Sequence, residues 1–491
     1  MTERLSQRAL GRLPAGVKRP AYDRTATQIG IVHIGAGNFH RAHQAAYLDD
    51  VLIRERGWAI CAASLNSTGV RDILAEQDFL YTLAIRDRTP ELRIIGAIKD
   101  VLAARDQQQQ ILQQMSTLAT RIVSLTITEK GYCLDGQGDL DLAHPAIRHD
   151  LRNPENPASA IGYIARGLQL RRDAGLPPVT ILSCDNLNEN GTLLAHAVRQ
   201  YAEAIAPDLA RWIEDQVPFP NSMVDSITPA TDEALKADVA HVLSLRDGWP
   251  VQREAFSQWV IEDRFATGCP DWEPFGVIMT NDVRLFEAAK LRLVNAPHSA
   301  LAYLGSLAGF ETVDTAVADT RVSRFLQAMM TEDIIPSLMP PPGLDLVAYR
   351  DAILNRFCNP AIKHSLLQIA QDGSLKLPIR ILETIKDNLG AGRGIARLAL
   401  VAAGWMLFVQ TRVAQKQVVV DPQASRLAQI AAQHSHDAPD TVDAFLSLKT
   451  IFPEALTAQP QFRAALLDAY RSLGTGRRQE VLRAVAQAGS A

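Results

Sequence analysis

The chain reads as an α/β protein in two parts: a mostly parallel sheet covered by helices over residues 1–283, then a mainly α-helical part over 284–491. Three observations predict this. Short apolar runs alternate with amphipathic segments through the first part, the pattern of strands buried on both faces. One such run, QIGIVHI (28–34), leads straight into Gly35-Ala36-Gly37 and then an amphipathic segment, RAHQAAYLDDVLIRE. From residue 283 onward strand-like runs become few and helical periodicity dominates.

Taken in order, 28–34 is the first strand, Gly35 to Gly37 the tight turn, and the segment after it a helix. Strand, glycine turn and helix together are the context of a dinucleotide site: Gly35 permits the turn, and Gly37 lets backbone approach a pyrophosphate. The third glycine of GxGxxG is replaced by His40. A second strand is predicted at 58–65, followed by Asn66, Ser67 and Thr68 instead of the acid that would bind an adenosine ribose; Asp72 comes too late. NAD and NADP are therefore not separated here. Further strands are predicted at 92–98, 121–127 and 178–184, with helices at 106–119 and 159–173. Ligands of such sheets bind beyond the carboxyl ends of the strands. The loops Thr126–Tyr132 (TITEKGY) and Ser183–Gly191 (SCDNLNENG) fall there. Residues 217–229, punctuated by proline around Asp225, read as a linker turn. Helices are predicted at 284–310, 315–333, 344–357, 361–371, 392–413, 423–434, 440–449, 461–472 and 477–488. QVVV (417–420) is the main strand candidate in this part.

Composition narrows the function classes. A net charge of −4 gives no basic surface for nucleic acid or an acidic membrane. No apolar run reaches the roughly 20 residues that span a bilayer. The N-terminal MTERLSQRALGRLPAGVKRP has no apolar core and is not expected to act as a secretion signal. The five cysteines lack CxxC spacing and read as reduced thiols, so a cytoplasmic location is expected. No HExxH or His/Cys cluster occurs, and no metal is expected.

The stretch KLRLVNAPHS (290–299) carries the chemistry. It offers an amine, a carboxamide and an imidazole between apolar flanks. On an ideal helix Asn295 lies roughly 140° and His298 roughly 80° round from Lys290, so all three can face one cleft. Pro297 qualifies this, since proline fits only a helix's first turn. A lysine in apolar surroundings is costly to charge, and a neutral lysine is a base. Its place near the predicted boundary puts it where a crevice between domains is expected.

These pieces resemble one family. GAGNFHRAH (35–43), TITEKGY, SCDNLNENG, SMVDSITPAT (222–231), KLRLVNAPHS and QDGSLKLP (371–378) are similar in order and spacing to the mannitol dehydrogenase family of polyol-specific long-chain dehydrogenases. The resemblance implies a Rossmann-type domain followed by a mostly helical one, a metal-free site, and NAD or NADP as hydride acceptor. It makes Lys290 the general acid/base, with Asn295 and Asn186 (or Asn190) donating to the reacting oxygen. His298 orients substrate, Asp225 and Lys376 bind its hydroxyls, and Glu287 passes protons between lysine and solvent. Gly35, Ala36, Gly37, Asn38, Phe39, His40, Arg41 and Glu129 are assigned to the cofactor. Departures point within the family. Mannitol-specific members generally carry an arginine where Gln368 stands, and Ser226 replaces a common arginine after Asp225. The local pattern with His364, Gln368 and Arg380 looks closer to the fructuronate reductase (mannonate oxidoreductase) branch. A carboxylate substrate wants a cation, which Lys376, Arg380 or His364 could supply. The leading expectation is D-mannonate/D-fructuronate, with D-mannitol/D-fructose or another polyol as runner-up and a catalytically silent nucleotide sensor as the rival from another class. A monomer or small homo-oligomer is expected.

Overall fold

The computed structural model describes residues 3–87, 89–433 and 438–490. The chain divides into two compact units, Met1–Arg284 and Leu285–Ala491.

Among its described residues unit 1 contains eleven strands: β1 (Ile29–Ile34), β2 (Ala59–Ser64), β3 (Tyr81–Arg86), β4 (Glu91–Ile95), β5 (Ile98–Ala103), β6 (Ile122–Leu125), β7 (Thr180–Ser183), β8 (Ser222–Asp225), β9 (Val251–Glu254), β10 (Gln258–Glu262) and β11 (Val277–Thr280). Five form a parallel sheet in the order β5-β2-β1-β6-β7. The chain moves outward from β1 to β5 on one side, then returns to the other side for β6. The carboxyl ends of β1 and β6 therefore flank the topological switch point, where open α/β sheets bind ligands. Both faces are covered, so β1 is almost uniformly buried. Val32 and Ile34 pack against helices at 104–115 and 160–173, whereas Ile31 packs against the helix Gln44–Val51 on the opposite side.

Several expectations are corrected here. The apolar run 92–98 is two strands. β4 pairs with β3 in a small separate sheet, and β5 joins the parallel one. The change occurs at Gly96, where a Cβ would stand 2.8 Å from Pro20 and 2.9 Å from Arg24. The supposed linker at 217–229 contains β8, which pairs antiparallel with β10; its prolines flank the strand instead of interrupting it. The helix after the glycine turn breaks at His43 into Asn38–Ala42 and Gln44–Val51.

Unit 2 is helical around Ala396–Ala414, which is buried on all sides from Arg397 to Gln410. QVVV forms no strand. The Val420 carbonyl accepts from Asp372 N–H and the Val418 carbonyl from the Arg412 guanidinium, so turn and side-chain contacts replace a ladder. The predicted helix at 361–371 shrinks to Leu366–Ile369, capped by the Ser365 hydroxyl and closed before Asp372 in the left-handed region. The one predicted at 315–333 is broken where Asp319 caps a new start at Thr320. Position 434, the predicted end of another helix, lies outside the described residues. No helix among the described residues is long and apolar enough to cross a membrane.

Candidate active site

In unit 1 three loops leave the carboxyl ends of adjacent strands: 35–37 after β1, 126–132 after β6 and the loop from Cys184 after β7. Gly35 has φ +105°, and a Cβ on it would meet the Thr126 carbonyl at 2.1 Å. Only glycine closes β1 onto β6 this tightly. Gly37 is the opposite case: a Cβ there finds nothing nearer than Gly35 O at 4.0 Å. The space over Gly37 is open to an approaching phosphate, so this backbone fits a dinucleotide. Asn66 is exposed just beyond β2, and Arg71 further on is engaged by Asp72 and Asp106.

The residues behind this turn face inward, which corrects the expectation that His40 and Arg41 line phosphates. Arg41 is 0% exposed. It donates to Trp249 O and Asn38 Oδ1 and lies over the rings of Tyr81 and Trp249. His40 is buried and stacks on His33 with ring centroids 3.3 Å apart. His33 in turn donates from Nε2 to Gly35 O and accepts from Ser124 at Nδ1. Burial holds His33 down to about 3, so the neutral ring braces the glycine turn from below. Ala36 is also buried, and Phe39 stacks on His43. Glu129 is exposed at the start of a 3₁₀ turn after β6.

The 183–191 loop separates its two candidate asparagines. Asn190 is 0% exposed, and its carboxamide is committed. It donates to Asp185 O at 2.9 Å and Ser222 O at 2.8 Å, and accepts from Ser222 N–H at 2.9 Å. It ties the loop after β7 to β8 and cannot also bind substrate; that expectation is corrected. Asn186 is exposed on the same loop. Asp185, unassigned in the sequence reading, accepts from the N–H groups of Ile127 and Thr128 and from Tyr132, locking this loop to 126–132. Burial raises its pKa, so these donors keep a costly carboxylate satisfied. Asp225 is buried at the end of β8.

In unit 2 Glu287 and Lys290, each 8% exposed, lie three apart on the helix Arg284–Lys290. The next turn, Leu291–Asn295, is a π-helix in which Ala296 N–H bonds to Leu291 O. A π turn holds an extra residue and sets back everything after it by up to about 100°. Asn295 moves from about 140° towards about 40° from Lys290, and His298 comes within about 20°. The wide turn thus brings positions 290, 295 and 298 into a narrower sector of the helix than a regular helix would. Pro297 explains the turn, because it has no N–H and its ring collides with the carbonyl four residues back in a regular helix. Pro297→Ala is expected to permit an α turn, lowering kcat on the order of 10²-fold through misplacement while the melting temperature holds or rises. Wild-type kcat in this variant, measured beside thermal melting, would show that packing alone holds the turn.

His298 is 7% exposed, and its Nε2 has no hydrogen-bond partner among the described residues. Its ring lies 4.5 Å from Phe357 and 5.4 Å from His364. Burial first, then His364, Arg380, Arg356 and Lys290, hold it well below the usual imidazole range, so it is neutral at pH 7. Burial and Lys376 likewise depress His364. Lys376 donates to Ile369 O at 3.2 Å, and Arg380 Nη1 lies 3.3 Å from Asn295 O and Ser299 Oγ. The structure therefore groups Lys290, Asn295, His298, His364 and Arg380. Arg356 and Phe357 join them without any signal in the sequence.

Comparison with known proteins follows the same division. The mannitol dehydrogenase Rossmann domain model matches residues 29–274 and the mannitol dehydrogenase C-terminal domain model matches 282–474. D-mannonate oxidoreductase of Escherichia coli (strain K12) is 42% identical over 466 residues, covering 93% of this chain and 96% of that protein. Mannitol 2-dehydrogenase of Phaeosphaeria nodorum is 37% identical, covering 96% of this chain and 84% of that one. The ternary complex of Pseudomonas fluorescens mannitol 2-dehydrogenase with NAD and D-mannitol superposes with a TM-score of 0.85 at 38% identity, covering 98% of this chain and 99% of that one.

Proposed function

This chain belongs to the mannitol dehydrogenase family of oxidoreductases, and on that premise we propose that it uses NAD to interconvert an open-chain hexonate, D-mannonate in the leading reading, and its ketose, D-fructuronate. The observation that carries the chemistry is the buried Lys290 sharing a helix face with the Asn295 carboxamide and a neutral His298. Oxidising a secondary alcohol needs a base for the hydroxyl proton and an acceptor for the hydride. NAD, held over the open backbone at Gly37, supplies the hydride acceptor when bound. Lys290 takes the hydroxyl proton during oxidation and returns it during reduction, with Glu287 passing it on. Charge on a buried amine is costly, and the uncharged amine is the form that acts as a base. Asn295 donates to the oxygen as negative charge develops there, and Asn186 is the second donor in this reading. The uncharged His298 leaves Nε2 for a substrate hydroxyl, with Asp225 and Lys376 binding others.

Oxidation of a hexitol, D-mannitol to D-fructose, is the second reading, favoured by relatives such as the Phaeosphaeria enzyme. Gln368, where mannitol-specific members generally carry arginine, weighs against it. The test is a panel of hexonates and hexitols with NAD and NADP, read by absorbance of the reduced coenzyme. D-mannonate turnover with NAD is expected. Turnover of hexitols alone would replace this reading with the second. NADH binding without turnover of any substrate would point to a sensor.

A further inference from the structure

Among the described residues Arg380 is a cation without an anion. Its Nη1 contacts, at 3.3 Å to Asn295 O and Ser299 Oγ, are long bonds to neutral oxygens. Its Nε is out of solvent with no partner. Among the described residues no Asp or Glu pairs with it, whereas Arg292 has Asp387 at 2.6 Å and Arg397 has Asp333 at 3.0 Å. Burying an unpaired charge is among the costliest arrangements in a fold. Unsatisfied polar atoms lie nearby: His298 Nε2 and Tyr303 OH, with His364 Nδ1 on the ring 5.4 Å from His298. His298 feels Arg380 and His364, and Tyr303 feels Arg380. A self-contained core has no reason to hold this group of donors and open valences together.

We propose that Arg380 is the anchor for the substrate carboxylate and the residue that selects a hexonate over a hexitol. The proposal rests on the reading that an open-chain sugar derivative is oxidised at Lys290. A guanidinium presents a planar fork of N–H donors that matches the two carboxylate oxygens. A hexitol offers a hydroxymethyl group at that end and leaves the cation unpaired, and a site built for a polar partner rejects an analogue that lacks it. The other two groups that the sequence offers for this role are less suited. Lys376 is engaged with Ile369 O, and burial keeps His364 uncharged.

The test compares Arg380→Met and Arg380→Lys with the wild type on D-mannonate and D-mannitol with NAD, alongside thermal melting and NADH affinity. In Arg380→Met, kcat/KM for D-mannonate is expected to fall on the order of 100-fold, mainly through KM. D-mannitol is expected to lose less than about a tenth of that factor, and Arg380→Lys to recover part of the loss. If hexitol turnover is too slow to read, a rise in KM at unchanged kcat and NADH affinity still marks the anchor, because a scaffold role lowers kcat and stability together. Equal losses on both substrates, or no loss on D-mannonate, would overturn the assignment while leaving the functional reading intact. Absence of hexonate turnover in the wild type would remove that reading and the anchor with it, before any substitution is made.

Discussion

Lys290→Met is expected to lower kcat/KM for D-mannonate by about 10²–10⁴-fold, the range over which a positioned acid or base contributes. Methionine keeps an unbranched side chain in the space of the buried stem, so packing around it changes little. What is lost is the group that receives the hydroxyl proton. Water reaching the site can replace it only poorly. NADH affinity is expected to stay near the wild-type value, because the open backbone at Gly37 and the braced turn at Gly35 belong to unit 1. Fluorescence titration of NADH beside steady-state kinetics checks both parts. A KM change without a kcat change would reassign Lys290 to substrate binding.

Asn295→Ala is expected to reduce kcat by about 10²–10³-fold, the cost of removing one fixed donor to a developing oxyanion. Its carboxamide makes no hydrogen bond with the described residues, and its backbone carbonyl is held by Arg380. The side chain is therefore placed by the backbone of the π turn and available to a ligand. Asn295→Asp retains the shape but brings negative charge to an oxygen that is itself becoming negative, and it should be at least as slow. Unchanged KM with reduced kcat distinguishes a transition-state donor from a ground-state contact. A fall in KM-controlled affinity alone would contradict the role.

The sequence carried the parallel sheet well because strands covered on both faces are continuous apolar runs, as in β1, and because Gly35 sits where only glycine fits. It misread QVVV because β-branched residues favour strands only where a partner edge exists, and here the carbonyls go to Asp372 and Arg412. That the Asn190 carboxamide is committed inside the protein needed the position of Ser222, a residue 32 away in sequence. The lysine element was legible as a motif, but its register was not. Pro297 was visible, yet the turn that reconciles it with Lys290 and His298 comes from a change in helix type that hydrophobic period does not reveal. The isolation of Arg380 could not be read either, since it is the absence of an acid in space among the described residues.

The most direct test of the account is the pH dependence of the single-turnover oxidation rate in wild type and Lys290→Met. Oxidation requires the unprotonated base, so the wild-type rate should fall as pH drops through the lysine's titration. His298 and His364, depressed by burial, remain neutral through that range and add no limb near neutrality. In Lys290→Met the rate should be low and this acid limb should disappear. Persistence of the same limb in the variant, or a variant rate within about tenfold of wild type, would contradict Lys290 as the base.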